Sequence, residues 1–148
     1  MPDSISFEQY LEANGSLTYT NVGVSMMPLL RQGKDLFTVV KKGAARCKAG
    51  DVVLYKRPPN KYVLHRVVEV RPKDYVILGD NCVAKEYGIT DSDILGVMTG
   101  YVRNGRSHTV QDPGYRLYSW WIMHFPGLRI FCKKAILRLK RIARKLLK

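Results

Sequence analysis

A serine at a sharp turn is the first residue of this chain with chemical promise. The stretch Gly23-Val24-Ser25-Met26-Met27-Pro28 follows an alternating run, Leu17 to Val22, of the kind a half-buried strand shows. Pro28 prevents a regular ladder three residues beyond the serine, so Ser25 stands where a strand ends. A serine hydroxyl is a weak nucleophile until a base lies within hydrogen-bond reach. The base on offer is His65, in Tyr62-Val63-Leu64-His65-Arg66-Val67-Val68, and the turn Gly79-Asp80-Asn81 supplies a carboxylate downstream. Serine, histidine and acid in that order provide nucleophile, base and orienter: the histidine takes the serine proton while the carboxylate fixes its tautomer. Spacing does not by itself bring the three together, and a lone histidine in a strand is more commonly a packing or surface residue. A Cys82–His65 pair is a second arrangement, although a structural thiol is the simpler reading of Cys82. His108 and His124 show no comparable pattern.

The elements that must position these residues are mostly strands. After the Ser25 turn come Leu36 to Val40, then Asp51 to Lys56, and Pro58-Pro59-Asn60 turns the chain into Tyr62 to Val70. Tyr75 to Leu78 is stopped by Gly79-Asp80-Asn81, and Ile94 to Arg103 returns as a long strand with Asn104-Gly105 as its hairpin turn. One short helix precedes them over Ser6 to Ala13, with Ser6 as N-cap and Asn14-Gly15 as the stop. Short strands separated by turn signals predict a mainly β barrel or sandwich. No internal repeat is visible.

Three further boxes join the serine turn to make a resemblance. Ser25-Met26-Met27-Pro28, Gly50-Asp51-Val52-Val53, His65-Arg66-Val67 and Gly79-Asp80-Asn81 resemble, in order and spacing, the boxes of the type I signal peptidases and their relatives among LexA-type self-cleaving repressors. The similarity covers roughly residues 16 to 100. Most bacterial members and the repressors carry a lysine base where His65 stands, so the chain resembles the Ser-His branch typical of the endoplasmic reticulum and archaea. The resemblance implies a β barrel-type catalytic domain and peptide-bond hydrolysis through an acyl-enzyme on Ser25, with His65 as base. It also implies a carboxylate orienter six residues after Asp80, which here is Glu86 in place of the usual aspartate; Asp80 is the other acid it carries over, and the two stay unranked. The Ser25 backbone N–H would hold the oxyanion, a donor worth on the order of 3 kcal/mol in such sites. Many bacterial members add a serine hydroxyl two residues before the nucleophile, where this chain has Gly23. Beside the nucleophile, Met26 and Met27 are expected to pack or to touch substrate.

Charge divides the chain. Of its 25 Lys/Arg and 12 Asp/Glu, all twelve acids lie at or before Asp112, and ten of the basic residues follow it, so most of the net +13 belongs to the last 36 residues. The expected division is a catalytic domain over 1–112 and a tail over 113–148. The tail begins with an aromatic stretch containing Trp120, Trp121 and Phe125, is broken at Pro126-Gly127, and continues as a basic amphipathic helix from Leu128 to Lys148. Its apolar positions Leu128, Phe131, Ala135, Leu139, Ile142 and Leu146 recur at steps of three or four. The aromatic stretch is too short and too interrupted to span a bilayer, which needs about 20 apolar residues. Lying in the interface fits better, with Trp120, Trp121 and Phe125 at headgroup depth and Lys133, Lys134, Arg138 and Arg141 toward anionic lipid.

The expected partners are a peptide or protein substrate and an anionic membrane surface. A cationic tail, acids at Asp3, Glu8 and Glu12 without an apolar leader, and three scattered cysteines, Cys47, Cys82 and Cys132, predict a peripheral protein on the cytoplasmic face. No metal or cofactor is called for. The rival expectation is a catalytically inactive or regulatory binding module of the LexA-like fold whose basic tail takes nucleic acid by phosphate neutralisation or packs on protein; no helix-turn-helix accompanies it, and a nucleic-acid arm has no need of the aromatics.

Overall fold

The computed structural model describes residues 4–148; Asp3 lies outside them. Helix α1 (Phe7–Asn14) starts at a capping box, in which the Ser6 hydroxyl accepts from the Gln9 N–H and the Gln9 side chain accepts from the Ser6 N–H. It ends at Gly15, whose left-handed backbone at φ +75° closes the last turn. Eight strands follow: β1 (Ser16–Thr20), β2 (Leu36–Lys41), β3 (Val52–Arg57), β4 (Lys61–Val70), β5 (Tyr75–Leu78), β6 (Glu86–Ile89), β7 (Ile94–Arg103) and β8 (Arg106–Thr109). They form one antiparallel sheet in the order β1-β2-β7-β3-β4-β5-β6, with β8 added to β7. The hairpin between β7 and β8 turns on Asn104 and Gly105, both at positive φ as a two-residue turn of this hand requires.

The fold is mainly β, but the sheet is not the closed barrel the resemblance implied. β1 and β6 are the two ends of one path and do not pair with each other. Other elements close the apolar face instead: Leu11 of α1, Met26, Leu29 and Leu30 of the serine turn and Tyr115 pack on Leu17, Phe37, Val39, Val52, Leu54 and Met98. A second cluster, built on Val53, Tyr55, Val63, Val67, Tyr75 and Ile77, fills the other side, so β3 and β5 are buried on both faces.

Beyond the sheet the chain is helical. α2 (Pro113–His124) begins with proline in its first turn, and α3 (Pro126–Leu146) runs nearly to the end. α2 buries Tyr115 and Ile122, so the first part of the basic tail is continuous with the β unit. No helix among the described residues is long and apolar enough to cross a membrane.

Candidate active site

Ser25 is presented by the connection between β1 and β2. The base of that loop is pinned by Asp35, fully buried, whose carboxylate accepts from the Arg31 N–H at 2.8 Å and from the guanidinium groups of Arg31 and Arg103. The Arg31 hydrogen bond, working against burial, holds the Asp35 carboxyl down at about 2. At the tip, the Met27 N–H donates to the Val24 carbonyl and the Leu30 N–H to that of Met26. The side chain of Met26 is sunk in the core, only 1% exposed, and anchors the turn. Met27 is 37% exposed and lines a groove beside it, so of the two methionines it is Met27 that a substrate could meet.

The turn after β5 straps this loop in place. The Asn81 N–H donates to the Ser25 carbonyl at 2.7 Å, and the Asn81 amide donates to the Val24 carbonyl at 2.9 Å. Gly79 is where the two halves of the site converge. A Cβ there would stand 2.8 Å from the Ser25 carbonyl oxygen, 3.0 Å from His65 Nε2 and 2.7 Å from the Cys82 sulfur. Only glycine leaves room for that approach. No hydrogen bond joins the Ser25 hydroxyl to His65 among the described residues; catalytic hydrogen bonds are often loose before substrate binds. The Ser25 N–H likewise has no protein acceptor among them, which leaves it available to an oxyanion. Gly23, at φ +86°, brings no side chain that could act as a second donor.

His65 lies in the middle of β4 and is buried. Its two ring nitrogens face different surroundings. Nε2 points to Gly79 and the serine loop. Nδ1 is 3.3 Å from the Tyr55 hydroxyl and 3.6 Å from Glu86 Oε1. Glu86, on β6, is in turn paired with the guanidinium of Arg57. Burial pushes the imidazole below its ordinary value, with the Glu86 charge opposing that shift only in part. The histidine therefore stays neutral, and able to accept a proton, to lower pH than an ordinary histidine.

Asp80 occupies a different environment. Its carboxylate takes a bidentate pair from Arg66, both contacts at 2.8 Å and both side chains almost wholly buried, and a hydrogen bond from the Tyr118 hydroxyl at 2.8 Å. Arg66 also donates to the Gly50 carbonyl and to the Ser119 hydroxyl. One ion pair thus ties together the Gly50-Asp51 turn, β4, the Gly79-Asp80-Asn81 turn and α2. Of the two acids the sequence left unranked, Glu86 is the one beside His65, and Asp80 is the one that holds the turn.

The second half of the tail touches this turn from outside. Lys133 donates to the Asn81 carbonyl, and Arg129 makes long contacts of 3.5 and 3.4 Å to the Gly79 and Cys82 carbonyls. Between α3 and the serine loop lies a groove of about 450 Å³, lined by Met27, Pro28, Asn81, Cys82, Ile122 and Ile136 among others. The helix docks through its Arg129–Lys133 side, so the apolar stripe stays exposed: Phe131 is 69% and Leu139 65% accessible. Trp120, Trp121 and Phe125 are exposed beside it, as are Lys134, Arg138 and Arg141, whereas Lys133 is committed to the turn.

Sequence reasoning placed Ser25, His65 and Glu86 but passed over Tyr55, Arg57 and the structural role of Arg66. Tyr55 could have been found from register: Val53 pairs with His65 across β3 and β4, so Tyr55, two residues along on the same face, is the diagonal neighbour of the histidine. Among the described residues no group of three His, Cys, Asp or Glu side chains is arranged to hold a metal ion. Comparison with family models, with curated protein sequences and with solved structures returns no match.

Proposed function

We propose that the protein is a serine endopeptidase of the signal-peptidase type, working on peptide or protein substrates at a membrane surface. The observation that carries this reading is the convergence on Gly79, where the Ser25 main chain and His65 Nε2 approach one point while Glu86 stands on the opposite side of the imidazole. In the proposed reaction the Ser25 oxygen attacks the scissile carbonyl and His65 Nε2 takes the hydroxyl proton. The same proton goes to the departing amine, leaving an acyl-enzyme that a water, deprotonated by His65, then hydrolyses. The Ser25 N–H, which has no protein acceptor among the described residues, would be the donor to the oxyanion, and the groove bounded by Met27 and α3 offers an apolar wall for substrate beside the nucleophile.

The test is reaction of the purified protein with a serine-directed acylating probe, read by intact mass. A single covalent adduct located on Ser25 is the expected result. Folded protein that stays unlabelled, with and without lipid, would instead leave the chain as a binding module of the same fold. If labelling occurs, its rate should rise with pH and level off through an apparent pKa below 6.5, because the buried imidazole must be neutral to act as base. A midpoint at or above 6.5 would contradict the burial argument.

The tail favours a membrane surface as the place of action. Its apolar stripe is exposed along the strongly cationic α3, Trp120 and Trp121 are exposed on α2 and Phe125 at the junction of the two helices, and tryptophans suit the headgroup region. Neutralising Lys134, Arg138 and Arg141 together should weaken binding to phosphatidylserine-containing vesicles by roughly two orders of magnitude, at about 1 kcal/mol per charge. Sedimentation with vesicles measures this. Binding that the triple variant leaves unchanged, or that a DNA duplex abolishes while vesicles do not compete, would remove the membrane assignment.

A further inference from the structure

We propose that Tyr55 is a positioning residue interposed between His65 and Glu86, so that the carboxylate orients the histidine through a phenol and not by direct contact. The role deepens the peptidase reading above and rests on it. The His65 Nδ1 to Glu86 Oε1 distance of 3.6 Å is too long for a hydrogen bond, whereas the Tyr55 hydroxyl is 3.3 Å from the same nitrogen. Tyr55 is fully buried, and its ring is fixed in the cluster with Val53, Val63 and Val67.

The proton inventory sets the direction of the chain. An ionised carboxylate only accepts, and the Glu86 carboxylate is paired with the Arg57 guanidinium. A phenol has one proton to give. Given to Glu86, it leaves the Tyr55 oxygen as acceptor for a proton on His65 Nδ1, and Nε2 then carries the lone pair on the side of Gly79 and Ser25. Given to Nδ1, it would force the imidazole proton onto Nε2, the tautomer that cannot take a proton from serine, and would leave the carboxylate without it. The first arrangement satisfies all three groups. Burial, and then the neighbouring Glu86 carboxylate, hold the phenol far above its ordinary pKa, so Tyr55 remains a neutral donor throughout the working range. When Nε2 takes the serine proton, the imidazolium that forms faces the Tyr55 oxygen and the Glu86 charge behind it.

The decisive measurement is nitrogen-15 NMR of the histidine side chains, with the His65 signals assigned by their loss in His65→Gln. In the wild type above the pKa of His65, the proton is expected on Nδ1. In Tyr55→Phe, which keeps the buried ring and removes only the hydroxyl, the population should move to the Nε2–H tautomer or to a mixture. Glu86→Gln should move it in the same sense. An Nε2–H tautomer in the wild type, or an Nδ1–H tautomer retained in folded Tyr55→Phe, overturns the proposal. This readout does not need activity, so it decides the role of Tyr55 even if wild-type Ser25 is never acylated, a result that would count against the peptidase reading instead. Where acylation is seen, Tyr55→Phe should slow it about tenfold to a hundredfold at saturating probe, less than the whole of a typical acid–base contribution. The half-saturating probe concentration should stay unchanged. A fall in probe affinity with an unchanged maximal rate would also overturn the assignment.

Discussion

Replacing Ser25 by alanine is expected to abolish covalent labelling and peptide cleavage, and His65→Ala to lower both by about the same factor. The equality follows from the two residues acting as a unit: without the base the hydroxyl stays protonated, and without the hydroxyl the base has nothing to activate. In serine peptidases such losses are on the order of 10⁶-fold in turnover and are far from additive. The double variant should therefore be no slower than either single one. Ser25→Ala should leave the fold undisturbed, whereas His65→Ala removes a buried side chain and should lower the melting temperature without unfolding the sheet. Ser25 is half-buried in a turn held by main-chain hydrogen bonds and by Asn81, and its hydroxyl bonds to nothing else among the described residues. Circular dichroism spectra and melting temperatures of the variants serve as the control. Activity retained in Ser25→Ala would exclude the proposed nucleophile outright.

Breaking the Arg66–Asp80 pair is expected to cause the largest loss of stability. Both side chains are at most 2% exposed, and removing one partner strands the other charge in the interior, which costs about 3–5 kcal/mol. For a chain of this size that corresponds to a fall in Tm on the order of 10 °C. Arg66→Met and Asp80→Asn should both show it, and Arg66→Met/Asp80→Leu should recover part of the loss because no unpaired charge remains. Urea titration gives the three values. Glu86→Gln makes the informative contrast: Glu86 is partly solvated at the sheet edge, so its replacement should change the His65 tautomer and the labelling rate far more than the stability. If Asp80→Asn were instead fully stable and inactive, Asp80 and not Glu86 would be the acid that serves the histidine.

The pair also explains why the Gly79-Asp80-Asn81 turn is where it is. Arg66 neighbours the histidine on β4 but points to the opposite face, where it holds Asp80 and α2. Alternation along one strand thus sends the base to the reaction and the cation to the scaffold. The same turn then delivers Asn81 to the serine loop and Gly79 to the imidazole.

Much of this was legible in the linear chain because the signals were local. The Ser6 N-cap and Gly15 stop of α1, the Asn104-Gly105 hairpin and the runs of β3, β4, β5 and β7 depend on residues within a few positions of one another, and each forms as periodicity and turn chemistry predict. β6 and β8 were not legible. Both are four residues long, and Glu86-Tyr87-Gly88-Ile89 and Arg106-Ser107-His108-Thr109 have too little apolar alternation to register against their neighbours. Their pairing comes from β5 and β7, which already lie in the sheet.

Order and residue type, by themselves, determined that Ser25, His65 and an acid were the groups to watch, and that the cationic charge was concentrated after Asp112. Only the tertiary structure decided which acid faces the histidine, because Asp80 and Glu86 are six residues apart and a turn sends them to different sides of β4. Only it could set the Tyr55 hydroxyl beside His65 Nδ1, since that contact depends on the register of two strands. It also decided that the sheet stays open, because the helices and the serine loop cover the apolar face a barrel would have enclosed. Side-chain chemistry is carried by single residues and can be read one at a time; juxtaposition is a property of pairs distant in sequence, settled when the whole chain buries its apolar surface.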